Sequence, residues 1–205
     1  MTSGTDTSAT GASGRGPGRP PKVEHRAAVL EAARGIVAEV GYAGLTFEGV
    51  AQRAGLYRRY LHRSFGSKAE LVRDALFADV PAFAVPDTGS LAGDLEEYVR
   101  QYAQLNLRPE MMHGLPSLQV ELIADADLMA DTFERYVRPP VDALTTLLSR
   151  SVDRGELSQM PAPDLVLGCI AGSIQQIALR GLLDEDDLVD FIVGLLTTGC
   201  LHAAG

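Results

Sequence analysis

Apolar residues recur at steps of three and four along most of this 205-residue chain, the period of one face of a helix. Val23, Ala27, Leu30, Ala33, Val37 and Val40 predict a first helix that stops at Gly41. Thr46 is placed to cap a short helix over 47–54, Gly55 breaks it, and Arg58 to Ser64 make a third. Gly66-Ser67 punctuate before a fourth helix, 68–80, with Leu71, Ala75 and Leu76 inward, and Pro81 ends it. Further segments run from Ser90 to about Leu107 and from about Pro116 to Ala124. A long one runs from about Asp127 to Arg154, interrupted or kinked at Pro139-Pro140 and closed by Gly155. The last two are Asp164 to Arg180 and Glu185 to about Leu201. Long polar–apolar alternation and Asn-Gly hairpin signals are absent, so the fold class is all-α, without internal repeats.

Residues 1–21 lack this periodicity and are rich in Gly, Ser, Thr and Pro. They cannot bury enough surface to offset ordering, and read as a disordered basic arm. The pattern then divides the chain into a helix-turn-helix unit, 22–80, and a helical bundle, 81–205. Charge follows the same division. Residues 1–75 hold 11 Lys+Arg against 7 Asp+Glu, whereas residues 76–205 hold 7 against 20. A basic end on an acidic body, in a chain of net charge -9, points to an end that meets nucleic acid and a body that cannot.

Two short helices joined at a glycine outline a helix-turn-helix, whose second helix lies in a major groove. In "AGLYRRYLHRSFGSKAELV", Arg58, Arg59 and Arg63 cluster with Tyr57, Tyr60 and His62 between them. Arginine can read guanine bidentately, while tyrosine, histidine and Lys68 can bond phosphate oxygens. Arg15, Arg19 and Lys22 of "GRGPGRPPK" lie on an extended segment suited to a minor groove. The duller reading makes Tyr42, Phe47, Leu61 and Phe65 the core of the small unit, and Arg53 and Arg73 solvated surface.

The stretch "LTFEGVAQRAGLYRRYLHRSFGSKAELV" resembles the TetR family of bacterial transcriptional regulators. Thr46, Val50, Ala51, Ala54, Gly55, Leu56, Leu61, Phe65, Ser67, Lys68 and Leu71 match the family's pattern without a gap. The resemblance covers residues 19–76 well, and "FERYVRPPVDALTTLLSRSVDRGEL" looks like the family's long central helix. It implies DNA contacts from Arg19, Lys22, Thr46, Tyr57, Arg58, Arg59, Tyr60, His62, Arg63 and Lys68. Three positions depart from the pattern. Tyr57 stands where the family has a capping Ser, Tyr60 replaces a small residue, and His62 replaces a Tyr that contacts phosphate. A histidine there would make affinity mildly pH-dependent.

The resemblance further implies that the last two helices form a four-helix interface in a homodimer, here through Ile170, Ile174, Ile177, Phe191 and Leu195. Independently, both segments are apolar round much of their circumference, more than one subunit's core needs. The bundle interior would hold a partly apolar small-molecule effector. Candidate lining residues are Tyr102, Leu105, Met111, Met112, Leu118, Phe133, Tyr136 and Gln175, which plain core would explain equally well. The four histidines and two cysteines show no metal-ligand spacing, so no metal and no cofactor is expected. Glu-x-x-His pairs and nucleophile elbows are absent as well, and an enzyme is not expected. No secretory signal or membrane span is seen, and Cys169 and Cys200 read as buried thiols of a cytoplasmic protein. The function expected is a ligand-responsive regulator, a repressor on a near-palindromic DNA operator. The alternatives are a module whose basic head binds an acidic protein and, further off, an α-helical enzyme.

Overall fold

The computed structural model describes residues 22–200, with side chains over 23–199. The arm with Arg15 and Arg19, the side chains of Lys22 and Cys200, and His202 lie outside the described residues. What is described is helical throughout, with no strand among the described residues. The helices are α1 (Lys22–Gly44), α2 (Phe47–Arg53), α3 (Arg58–Ser64), α4 (Lys68–Phe77) and α5 (Leu91–Asn106), then α6 (Pro109–Ala124) and α7 (Ala126–Thr132). A π-turn, Phe133–Val137, leads into α8 (Arg138–Asp153), followed by α9 (Pro163–Arg180) and α10 (Glu185–Leu195). Helix starts follow the capping residues. Thr46, Ser67, Ser90, Asp125 and Asp184 each accept a backbone N–H of the first turn.

Several elements differ from the sequence expectation. α1 runs past Gly41, but as a kink, since Gly41 holds φ 71°, ψ 179°, a conformation closed to L side chains. The inward stripe of α1 is Val29, Ala32, Ala33 and Val37, while Val23 and Val40 are exposed. α6 begins at Pro109 and carries Pro116 inside it, so its first two turns were hidden by breaker residues. The irregularity expected at Pro139-Pro140 is the π-turn just before them. Within it the Arg138 N–H reaches back five residues to the Phe133 carbonyl.

Two apolar clusters form, and they do not divide at residue 80. One joins Leu95, Tyr98 and Val99 of α5 to Leu144, Leu147 and Leu148 of α8, and to Ile170, Ile174, Leu188 and Ile192 of α9 and α10. The other is the core of the small unit, but Met111, Leu118 and Leu122 of α6 belong to it. α6 lies across both α1 and α4. Burying three such side chains contributes about 1.5–3 kcal/mol each, well above the worth of the polar contact between His113 Nδ1 and the Ala38 carbonyl at 2.8 Å. The close approach rests on Gly114. A Cβ there would stand 2.7 Å from Val37 Cγ1 and 3.3 Å from Leu76 Cδ1.

A polar knot ties the start of α5 to the end of α8. The Asp94 carboxylate, fully buried, accepts the Thr88 N–H (2.6 Å), the Thr88 hydroxyl (2.8 Å) and Arg154 Nη2 (3.0 Å). Burial works to raise its pKa, but Thr88 and Arg154 outweigh burial and hold it below its ordinary value. Beside it, Glu156 accepts the Leu91 N–H at 2.6 Å.

Two outcomes are expected. Gly114→Ala lowers unfolding free energy by about 1–3 kcal/mol through overpacking against Val37; an unchanged denaturant midpoint would show that α6 stands off from α1. Asp94→Asn costs about 1–3 kcal/mol at neutral pH. Because folding lowers the Asp94 pKa, its contribution is present above the ordinary carboxylate value of 3.8 and lost as pH falls below it. The stability gap between wild type and variant should therefore narrow on acidification, and a gap that acid leaves unchanged would refute the assignment.

Candidate nucleic-acid interface and effector cavity

The head is built outward from Leu61, the buried anchor of α3. Thr46 caps α2 by accepting the Gly49 N–H at 3.1 Å, and its hydroxyl keeps its own proton for an acceptor outside. Gly55, at φ 66°, makes the tight turn that sets α3 across α2. With Leu61 inward, the spacing leaves Tyr57, Arg58, Arg59, His62 and Arg63 exposed on the opposite face. These are the residues that the sequence singled out, and the fold brings them to one surface.

Their contacts hold them forward. Arg58 Nε donates to His62 Nε2 at 3.0 Å, and Arg58 Nη1 stands 3.8 Å from Glu48. The Arg59 guanidinium lies 4.6 Å from the Tyr57 ring centroid, and His62 rests on Phe47 at 4.8 Å. Tyr60 is half-buried, edge-on to His25 of α1 at 5.5 Å. Tyr57 is 73% exposed and makes no side-chain cap on α3, as its departure from a capping Ser suggested. Lys68 sits further back. Its ammonium donates to the Ala43 carbonyl at 3.2 Å and lies 4.5 Å from the Tyr42 ring centroid. Burial lowers its pKa, with Glu121 of α6 opposing. Burial and the same Glu121 push Tyr42 up to about 12.

Below the head, α4, α5, α6, α7, the π-turn and the start of α8 enclose a cavity of about 220 Å³. Tyr102, Leu105, Met111, Phe133 and Tyr136 line it, as the sequence reading expected. Three expected residues do not. Leu118 is buried in the small unit's core, because α6 turns that face to α1 and α4. Met112 is not among the lining residues, although its neighbour Met111 is. Gln175 reaches only as far as Gln119, to whose Oε1 it donates at 3.3 Å, and Gln119 is the residue on the rim. Phe77, Asn106, Leu115 and Thr132 also line the cavity and were missed. Leu122, Met129 and Phe133 face both this cavity and an open apolar trough along α6 and α7.

An ion-pair chain runs from this wall to the head. Asp131 of α7 accepts Arg135 Nη1 (3.2 Å) and Arg73 Nη1 (2.6 Å), and Arg73 Nε donates to Asp74 at 2.9 Å. Asp74 also pairs with Arg26 of α1, whose guanidinium lies 4.9 Å from the Phe65 ring centroid just after α3. Arg73 and Asp74 are buried, which corrects the expectation of Arg73 as solvated surface. Alongside, Phe77 of α4 stacks on Tyr136 at 4.5 Å.

On the far side, Ile170 and Ile174 are fully buried in their own subunit's core and Ile177 is packed against it, so they do not form a free face. Periodicity could not fix the phase of a helix that is apolar all round. The free apolar face is Leu165 (73% exposed) and Leu179 of α9 with Phe191 (52%) and Leu195 of α10. Exposed Gly168, Cys169 and Gly172 lie between, so Cys169 is not the buried thiol expected.

The chain is similar to known regulators in both parts. The family model described as bacterial regulatory proteins, tetR family, matches residues 29–75, and that of the tetracyclin repressor-like C-terminal domain matches 85–196. The HTH-type transcriptional regulator YdeS of Bacillus subtilis is 25% identical over 181 residues, 86% of this chain and 87% of its own. The regulator AqdR of Rhodococcus erythropolis is 26% identical over 154 residues, 73% of this chain and 72% of its own. Among solved structures, the TetR family regulator SCO0332 superposes with TM-score 0.58 at 26% identity, covering 86% of this chain and 98% of that one. FadR of Bacillus subtilis, in complex with stearoyl-CoA, gives TM-score 0.66 at 17% identity, over 84% and 98%.

The uncapped start of α3 carries its own test. Tyr57→Ser should add about 1 kcal/mol of stability by supplying the missing cap, read as a raised denaturant midpoint. A lowered midpoint would mean that the Tyr57–Arg59 contact holds the helix start instead.

Proposed function

The chain belongs to the TetR family of bacterial regulatory proteins and is a helix-turn-helix transcriptional regulator, and from that premise we propose that it is a repressor, released from its operator when a small molecule enters the cavity between α4 and α8. The observation that carries the reading is the sharing of elements. α4 and α6 line the cavity and also build the core of the head, and the Asp131–Arg73–Asp74–Arg26 chain joins the same two places. A molecule that spreads the cavity wall has no route that leaves α4 untouched.

In this reading Arg58, Arg59, Arg63 and Tyr57 enter the major groove, while Thr46, Tyr60, His62 and Lys68 set the register on phosphates, with Arg19 of the arm and Lys22 at the start of α1 in the adjoining minor groove. The working form is a homodimer through the Leu165, Leu179, Phe191 and Leu195 face. A surface of that kind, with glycines that let backbones approach, is more than scattered exposure explains. Two heads related by a two-fold axis call for a near-palindromic site. No helix among the described residues is long and apolar enough to cross a membrane, and a repressor would work in the cytoplasm, beside the chromosome. The relatives named are regulators, which supports a binding role over an enzymatic one.

The test is fluorescence anisotropy of the full chain on DNA from upstream of its own gene, with scrambled DNA as control, over a salt series. Selective binding that weakens steeply with salt is expected. Arg59→Ala should weaken it by about 1–3 kcal/mol while sedimentation still reports a dimer. Unchanged affinity in that variant would remove α3 from the interface. If DNA fragments selected from the whole genome also gave no preference over scrambled sequence, the head would bind an acidic protein instead.

A further inference from the structure

The cavity differs in one respect from four other concavities of the described residues. The hollow beside α3 presents Arg59 and Arg63, the groove between α1 and α2 presents Glu31, Arg34, Arg53 and Glu110, the α6–α7 trough presents Glu134, and the small hollow at the end of α5 presents Arg108. No residue that lines the cavity is Asp, Glu, Lys, Arg or His. Arg73, Asp74, Asp131 and Arg135 stand behind Tyr136 and are locked to one another, and Arg138, 5.3 Å from the centroid of the Phe133 ring, is paired with Glu134.

The polar groups that do face inward are neutral and partly committed. Thr132 spends its proton on the Leu128 carbonyl at 2.6 Å. Asn106 Nδ2 donates to the Tyr102 carbonyl at 2.8 Å, which leaves its Oδ1 as an acceptor. Gln119 Oε1 is taken by Gln175, which leaves its amide donors. The Tyr102 and Tyr136 hydroxyls complete the set, and burial keeps both phenols protonated well above neutral pH.

We infer that the effector is uncharged and largely apolar, with one or two hydrogen-bonding groups that meet Asn106 and Gln119, and that the part held inside the cavity is small. At protein packing density, 220 Å³ accommodates on the order of ten non-hydrogen atoms, the size of one fused pair of aromatic rings. A charge carried in would lose its hydration with no counter-ion to replace it. The inference rests on the reading of this cavity as the effector site. It separates the chain from FadR, which was solved with stearoyl-CoA, a ligand whose phosphates would find no cation here.

The test uses the full chain and three probes of one shape at pH 7: 2-naphthol, neutral; 2-naphthoate, an anion; and 2-naphthylmethylammonium, a cation, each titrated calorimetrically. The neutral probe is expected to bind at least tenfold more tightly than either ion, and stearoyl-CoA should not displace it. Gln119→Lys, on the solvent-exposed rim, should narrow the gap for 2-naphthoate, and Leu115→Phe, which fills the cavity, should weaken the neutral probe at least tenfold. Ions that bind as tightly as 2-naphthol, and are equally lost in Leu115→Phe, would overturn the charge inference while leaving the cavity as the site. Binding of 2-naphthol unaffected by Leu115→Phe would instead overturn the cavity reading. Failure of 2-naphthol to bind wild type at all would overturn the inferred ligand class.

Discussion

Everything in this molecule depends on how closely α6 can lie on α1 and α4. A glycine at 114 lets the backbone of α6 come near enough for Met111, Leu118 and Leu122 to enter the core of the small unit. Without that approach the head would have an unfinished core and the bundle a loose helix. With it, the head cannot shift on the bundle without moving a helix that also walls the cavity. Packed cores have discrete arrangements and do not deform smoothly, which is what a two-position regulator requires.

The electrostatics divide the labour. The exposed cations of α3 stay near solvent, where their charge is available to a polyanion, held forward by rings and by each other. The buried cation Arg73 does the reverse. It is surrounded by Asp74 and Asp131 and serves only to connect helices. A buried pair of this kind adds little net stability, because desolvation offsets most of the attraction, but removing one partner leaves a stranded charge. Such a chain resists partial rearrangement, and it spans the junction where partial rearrangement would be most harmful.

Much of this was legible before any coordinates. Thr46, Gly55 and Ser67 mark helix boundaries by their chemistry, and the exposed cluster from Tyr57 to Arg63 follows once Leu61 is placed inward. What was not legible shares a cause. α1 meets two partners, so its apolar positions spread over a wide arc: Ala33 and Val37 of the expected stripe are buried and Leu30 packs on the core, while the stripe's ends, Val23 and Val40, are exposed. α9 is apolar on all sides, so nothing in its period told Ile170 and Ile174, which face inward, from Leu165 and Leu179, which face out. α6 contains Gly114 and Pro116, both of which break isolated helices, and only tertiary packing shows why they are tolerated there. Tyr102, Leu105, Met111, Phe133 and Tyr136 line the cavity because large flexible and aromatic side chains gather there; Met112 and Leu118 stand one position away from lining residues of α6, and Gln175 belongs to α9, which does not wall the cavity.

The π-turn at Phe133–Val137 has a mechanical consequence. It holds one more residue than an α-helix needs, and that slack lies in the cavity wall. Pro139 and Pro140 have no N–H to offer the carbonyls before them, so the wide turn cannot migrate forward into α8. The two prolines therefore hold the wide turn on its α8 side, and its extra residue sits in the wall that Phe133, Tyr136 and Val137 form.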